Sequence, residues 1–573
     1  MKAESMTNTS DDAKGHRRVA VRVSSAAALL LLITVLALHC HVASVVLGSS
    51  LGSGDPQRHF VSGVMCYDYL RTGLGSNPIR FAEDFEVRYP EVAIGHWPPM
   101  YYAVQAFYYF LAGPTIRSAQ LLSVITAALL ATLLFLSLRR ETGASLAMVA
   151  VAVFLAAPLV QAAAWQVMSD LLTALFVFVA VRAFSALLDS PRNSKAALSF
   201  AVWASAAILT KGSAWALGPF ALLAPVIAWR LKCFRNIRYW FAGVGVIVLS
   251  APFYVIVQRI GIGYQGYYSH IASPAVSLTD RISTLTPLAH FAPALLLLLS
   301  AFGLAEALHA RWYRSDDSSW TTFSLACGVW ILAQVIFLFV LPLTGEARVL
   351  LPSLAPAAVL AARSLLWVQR ALQRRPLAAL AMPIAIGAVV VASSGAIPLQ
   401  RVDGYREAAN AMPYSEEGSL IFSASGKIGE GALIAERLGH RQQHSDVILR
   451  ANHVFIQMDS LGNCLPLFTS AEAMRTYLLQ LPVRFVALGN HPFACRFGDG
   501  NADQANRWIN RAVMEDPADF KLVATFPILE KDHGQIDELR IYENPAGRIR
   551  HPSIVQTPLG LDAGGRVLEY RWP

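Results

Sequence analysis

The sequence predicts an α-helical polytopic membrane protein of about eleven spanning helices, followed by a C-terminal soluble α/β domain. Composition, the spacing of apolar runs and the placement of basic residues all point there. Of 573 residues, 55% are hydrophobic and 15% charged, with a mean hydropathy of +0.45. A soluble domain charges about a quarter of its residues, so lipid solvates most of this chain. The formal charge of +9 is scattered in short clusters between apolar runs. It is not gathered on one soluble face, which argues against nucleic acid as a partner and matches cytoplasmic loops flanking membrane helices.

Residues 1–23 are polar and basic (Lys14, Arg17, Arg18, Arg22) and read as a cytoplasmic segment. The apolar run from Ser24 to Leu47 is long enough to cross a bilayer and longer than the core of a cleaved signal peptide, so it reads as a retained anchor. Further runs of spanning length occupy 116–138, 143–161, 170–188, 196–211, 213–229, 238–257, 288–309, 320–342, 347–367 and 377–397. The segment 98–112 is too short to span and is crowded with Tyr and Phe, so it reads as an interfacial helix.

Parity decides between this topology and its rival. With 98–112 at the interface, every basic cluster between helices falls on the cytoplasmic side: Arg139 and Arg140; Arg192 and Lys195; Arg230, Lys232, Arg235 and Arg238; Arg311 and Arg314; Arg370, Arg374 and Arg375. Counting it as a full pass would put all the later clusters outside, against the positive-inside bias. The membrane domain is thus 24–397, with a first outward loop at 48–115. The turns near Asp170, Lys211 and Arg348 and the loop 258–287 share that outward side.

The tail, 398–573, also falls outside. Ser419–Gly426 (SLIFSASG) and Val483–Asn490 (VRFVALGN) read as buried strands, and Glu430–Gly439 (EGALIAERLG) as a helix between them, which makes a small α/β sandwich. No motif in the tail carries recognisable chemistry. Six cysteines show no metal-ligand spacing, and Cys464 and Cys495 can pair if the tail faces an oxidising compartment.

The outward side collects the polar groups that chemistry needs. Asp55 follows the first helix in GSGDPQRH, where a tight Gly/Pro turn presents a carboxylate above the lipid as a general base; the plain alternative is a solvated acid or a helix cap. His96 opens HWPPMYY, whose prolines suit the first turn of a helix, and a helix N-terminus beside an imidazole favours an anion. Asp170 opens a helix in WQVMSDLL, and Lys211 interrupts an apolar stretch in ILTKGSAW. Ionisable residues in such places usually face a polar cavity. Lys211 can meet a phosphate, pair with Asp170 or snorkel to the interface. Glu346 and Arg348, in GEARVLLP, form a mutual ion pair or a phosphate-binding arginine oriented by its neighbour. Tyr267 and Tyr268, in YQGYYSH, offer faces for a sugar or a lipid headgroup, or belong to an interfacial aromatic belt.

These segments, in this order, resemble the polytopic glycosyltransferases that use a polyprenyl-phosphate sugar, of the protein O-mannosyltransferase and aminoarabinose-transferase type with the GT-C fold. The residues carrying the resemblance are Asp55, DYLRTG (Asp68–Gly73), HWPPMYY with the following IRSAQLLSVI, Asp170, Thr210–Lys211 and GEARVLLP, across about residues 24–370. The resemblance implies an inverting transfer with Asp55 as catalytic base, His96, Lys211 and Arg348 on the donor phosphate, and Asp170 and Glu346 organising the site. It implies a polyprenyl-phosphate sugar donor, a lipid, glycan or protein acceptor, and a multi-pass protein of the bacterial inner membrane with its tail in the periplasm. No cofactor is predicted and no metal ligand is assigned. A divalent cation stays an option, although Asp55 lacks the adjacent second carboxylate of many relatives, and Glu83 or Asp84 would have to substitute. His96 stands where some relatives place a lysine, which makes phosphate binding there pH-sensitive.

Two other classes compete. A lipid or solute transporter is expected to show paired halves and a mid-membrane site, whereas this chain has no visible repeat and its most charged segment is an outward loop. A non-catalytic scaffold gains little from ionisable groups at Asp170, Lys211 and Glu346.

Overall fold

The computed structural model describes residues 50–51, 54–92, 95–260, 293–341, 346–393, 402–415, 418–439, 446–458, 464–490, 493, 500–530, 535–548, 554–558 and 567–571. The anchor at 24–47, the loop carrying Tyr267 and Tyr268, and Cys495 lie outside these residues.

The chain enters the described region through three helices of the first loop: α1 (Gly54–Asp68), α2 (Pro78–Arg88) and α3 (Met100–Ala112). Asp55 therefore occupies the first turn of a helix, not an isolated Gly/Pro turn. Its charge faces the positive end of the helix dipole, and Pro56 sits where a missing amide costs nothing. α3 is only 13 residues, about 20 Å at 1.5 Å per residue, short of a hydrocarbon core. It buries Tyr101, Tyr102, Gln105 and Tyr109 and exposes Phe107, Phe110 and Leu111.

The bundle follows: α4 (Ile116–Ala156), α5 (Pro158–Trp165), α6 (Asp170–Asp189), α7 (Ser194–Ile208), α8 (Leu217–Ile227), α9 (Ile237–Ile260), α10 (Ala294–Tyr313), α11 (Ser319–Val340), α12 (Leu354–Ala371) and α13 (Pro376–Ser393). Thr115 starts α4 through a reciprocal capping box with Ser118. Within α4, Gly143 has φ 81°, a left-handed value that breaks the helix into two apolar runs. Among the described residues, six helices are long and apolar enough to cross a membrane, and 194–208 and 212–227 form shorter apolar helices. The chain is a multi-pass membrane protein.

α6 sets the scale of the bundle. Its 20 residues span about 30 Å, a bilayer core, with a carboxylate at each end. Asp170 begins it. Asp189 ends it and meets Arg230 at 3.3 Å, and Arg230 in turn contacts Asp317 at 3.2 Å. The basic residues near Arg230 and Arg311 thus mark the end opposite Asp170.

The tail builds a mixed six-stranded sheet in the order β1-β7-β8-β6-β2-β3. These strands are β1 (Val402–Asp403), β2 (Leu420–Ala424), β3 (Val447–Arg450), β6 (Val483–Gly489), β7 (Lys521–Glu530) and β8 (Gln535–Glu543); β4 (Ile456–Met458) and β5 (Cys464–Pro466) pair separately, as do β9 (Ile554–Pro558) and β10 (Val567–Arg571). β2 runs parallel to β3 and β6, joined to β3 through the helix Gly426–Gly439. Its five residues are all buried, as an apolar run in a parallel sheet should be.

The tail is docked on the first loop. One apolar core joins Phe60, Val61, Phe85, Tyr89 and Ile116 with Tyr405, Ile421, Leu433, Phe485 and Ile541. Ser50 bridges to Val402, its amide donating to the Val402 carbonyl at 2.8 Å. Gly431, on the helix after β2, lies so close to α1 that an added Cβ would stand 2.1 Å from Gln57 Oε1.

Candidate active site

Four elements far apart in sequence meet at the Asp170 end of the bundle. α1 supplies Asp55. The 3₁₀ turn Ala347–Ser353 supplies Arg348, whose Nη2 donates to Asp55 Oδ2 at 2.5 Å and whose Nε donates to the Glu346 carboxylate. The step between α7 and the 3₁₀ turn Gly212–Ala216 supplies Lys211, whose Nζ donates to Asp170 Oδ1 at 2.6 Å. α6 supplies Asp170, near enough to Arg348 to act on it electrostatically. The start of α3 is tied to the same place, with the Met100 amide donating to the Leu209 carbonyl at 2.9 Å.

Burial separates the two carboxylates. The Asp170 side chain is 2% exposed and Lys211 15%, whereas Asp55 is 35% and Arg348 29% exposed. Asp170 with Lys211 is an inner pair, and among the described residues Asp170 Oδ2 has no hydrogen-bond partner. Asp55 with Arg348 is the pair that an arriving molecule can reach.

Electrostatics assigns protonation states. Burial raises the Asp55 carboxyl, but the hydrogen bond and charge of Arg348, with the charge of Arg58 behind it, outweigh burial and hold it below the ordinary aspartate value. His96 packs edge-on against Trp97, centroids 4.0 Å apart. Burial and the nearby Arg58 push its imidazole down to about 3. It is therefore a neutral hydrogen-bonding group through the neutral pH range, and the pH-sensitive phosphate contact expected from its titration is corrected on that ground.

His59 is one of the polar groups of the first loop to which the sequence alone assigns no role. It lies one helical turn after Asp55 on the same face of α1. Its Nδ1 and the Tyr102 hydroxyl share a hydrogen bond of 3.0 Å, and its ring is 4.3 Å from Trp97. Burial pushes its imidazole down to about 3, so it is neutral beside a cluster of charges. The i, i+4 spacing would have revealed it had α1 been recognised as a helix.

Asp55, His96, Asp170, Lys211, Glu346 and Arg348 are thus placed on converging elements, while Tyr267 and Tyr268 lie outside the described residues. Among the described residues, no group of three His, Cys, Asp or Glu side chains is placed to hold a metal ion. The two central carboxylates face cations instead, which is a poor donor set for a divalent ion. The arrangement suits an anion: two cationic side chains beside one accessible carboxylate.

Known proteins share this architecture. Residues 96–256 match the family model described as dolichyl-phosphate-mannose-protein mannosyltransferase. ArnT from Cupriavidus metallidurans bound to undecaprenyl phosphate aligns with 15% identity and a TM-score of 0.54, covering 91% of this chain and 97% of ArnT. The apo state of that protein aligns with 15% identity and a TM-score of 0.52, covering 93% and 99%. The archaeal oligosaccharyltransferase AglB from Archaeoglobus fulgidus, in complex with an inhibitory peptide and a dolichol-phosphate, aligns with 12% identity and a TM-score of 0.50, covering 81% of this chain and 69% of AglB. No curated protein sequence matches the chain.

Proposed function

We propose that the chain is a glycosyltransferase of the GT-C class that moves a sugar from a polyprenyl-phosphate donor to an acceptor hydroxyl or amine at the outer face of the membrane, inverting the anomeric carbon, with Asp55 as base. The observation that carries this reading is the Asp55–Arg348 pair, an accessible carboxylate and guanidinium in contact beside the Lys211 ammonium held by Asp170. The structural relatives were solved with undecaprenyl phosphate and with a dolichol-phosphate, the ligand class that two cations at the membrane surface would take.

The step balances without nucleotide or added reductant. The acceptor heteroatom attacks the anomeric carbon in line, the bond from that carbon to the phosphate oxygen breaks, and its electron pair leaves on the phosphate. Asp55 takes the acceptor proton. Lys211 and Arg348 meet the charge that builds on the phosphate, the term on which such sites depend most. Arg348 serves both ends: the guanidinium that neutralises Asp55 is the one the phosphate would draw. Phosphate binding and release of the base are therefore coupled through one side chain, with Glu346 holding it in reach. His96 and His59, both neutral, orient by hydrogen bonding and add no charge.

The outward orientation is supported by the opposite end of α6, where Arg230 and Arg311 gather on the side the positive-inside rule makes cytoplasmic. On this reading a bacterial protein sits in the inner membrane with its tail in the periplasm.

The test is consumption of a lipid-linked sugar. Purified protein in lipid nanodiscs is offered undecaprenyl-phosphoryl mannose, glucose and 4-amino-4-deoxyarabinose in turn, with an envelope lipid extract and periplasmic proteins as acceptors. Release of undecaprenyl phosphate with sugar on an acceptor is expected for at least one donor. Failure to bind undecaprenyl phosphate at all would overturn the reading.

A further inference from the structure

The tail reaches the helix that carries the base through buried charge. Arg450 ends β3 and is 3% exposed. Its Nε donates to Glu430 Oε2 at 2.8 Å, and its Nη1 donates to the Pro90 carbonyl at 3.1 Å and to the Glu91 carboxylate. The other oxygen of Glu91 accepts from Arg58 Nε at 3.1 Å. Arg58 is three residues after Asp55 on α1. Four alternating charges thus run from the helix Gly426–Gly439 of the tail to the first turn of α1.

Three further contacts fix the same turn. Gln57 Nε2 donates both to the Leu51 carbonyl at 2.7 Å and to the Ile428 carbonyl of the tail at 2.8 Å. Ser50 Oγ donates to Glu436 Oε1 at 2.7 Å. The bend that presents Glu91 is itself held, since Glu86 Oε2 accepts from the Val92 amide at 2.6 Å. A tail that merely decorated the membrane domain would have no reason to bury carboxylates and guanidinia against the residues flanking one aspartate. Buried charge is costly unless geometry is tightly set, so its clearest use is to fix position.

We propose that Arg450 of the C-terminal sheet is a positioning residue for sugar transfer, seating Asp55 through Glu91 and Arg58. This rests on the reading of Asp55 as base. A shift of about 1 Å in a reacting group can cost on the order of 100-fold in rate. Unseating α1 should therefore lower kcat without weakening donor binding, because Lys211 and Arg348 sit on other elements and Arg348 loses only its competing contact with Asp55.

The experiment compares Arg450→Met and Arg450→Lys with the unmodified full-length protein in nanodiscs, using whichever undecaprenyl-phosphate sugar that protein consumes. Undecaprenyl phosphate affinity, donor KM and kcat are measured on monodisperse protein. Both variants are expected to lose kcat, about 10- to 100-fold for Met and less for Lys, with donor KM and undecaprenyl phosphate affinity no weaker than in the unmodified protein. Lysine keeps one ion pair but cannot span Glu430, Pro90 and Glu91 together, so it decides the matter should the Met variant not fold. Wild-type kcat in a folded Arg450→Lys protein would overturn the proposal, as would a rise in KM at constant kcat. An Asp55→Asn control separates the two claims: if it stays active, the base assignment has failed and not the seating.

Discussion

Replacing Lys211 by Met isolates the inner pair from the chemistry. Met has nearly the length of the lysine stem, so packing is kept while the ammonium is lost. The partner it leaves, Asp170, is 2% exposed, and its Oδ2 already lacks a hydrogen bond. Removing one member of a buried ion pair costs about 3–5 kcal/mol, because the remaining charge stays desolvated. For a chain of this size that is a fall of several degrees in the thermal midpoint, read at fixed scan rate in one detergent. The double variant Lys211→Met/Asp170→Asn removes the stranded charge and should recover most of the lost stability. Transfer should recover in neither, since the phosphate has lost a cation. A single variant as stable as the unmodified protein, or a double variant no more stable than the single, would refute the pairing argument.

Arg348→Gln should lower kcat/KM on the order of 100-fold or more, as loss of one pre-placed charge-stabilising group does elsewhere. It should also move the acid limb of the pH–rate profile upward, because the Asp55 carboxyl loses the partner that holds it low. Acidification should destabilise the fold through His59: its imidazole titrates near 6.5 when unfolded and at about 3 when folded. The folded form resists a proton that the unfolded form accepts, so stability is full above pH 6.5 and falls below it. Between pH 7 and 5 this amounts to about 2 kcal/mol, and His59→Gln should flatten the dependence of the thermal midpoint on pH. Gly431→Ala should cost about 1–3 kcal/mol by forcing the tail off Gln57, seen as earlier proteolytic release of the tail from intact protein.

Much of this was legible in the sequence for physical reasons. Apolar runs of spanning length have few alternatives to helix, and Asp170 opens α6 where the run begins. The pairing of Lys211 with Asp170 is one of the arrangements the sequence offers, because ions at a membrane boundary need partners. What the sequence hid was of two kinds. The first loop is polar and lacks the amphipathic period that announces a helix, so Asp55 reads as a turn carboxylate or a helix cap and His59 as one polar residue among many. The docking of the tail depends on pairs such as Glu91–Arg450 and Ser50–Glu436, separated by more than 350 positions. No local pattern marks such pairs, since each residue alone reads as a solvated surface charge.

The account turns on Asp55 as the group that takes the acceptor proton. The most direct measurement is a single-turnover transfer assay on Asp55→Asn in nanodiscs, run beside undecaprenyl phosphate binding to the same sample. Asparagine keeps the size of the side chain and can still contact Arg348, but it cannot act as a base. Transfer should fall by about 100-fold or more while the lipid phosphate binds at least as tightly as it does to the unmodified protein. Transfer at the unmodified rate would contradict the account.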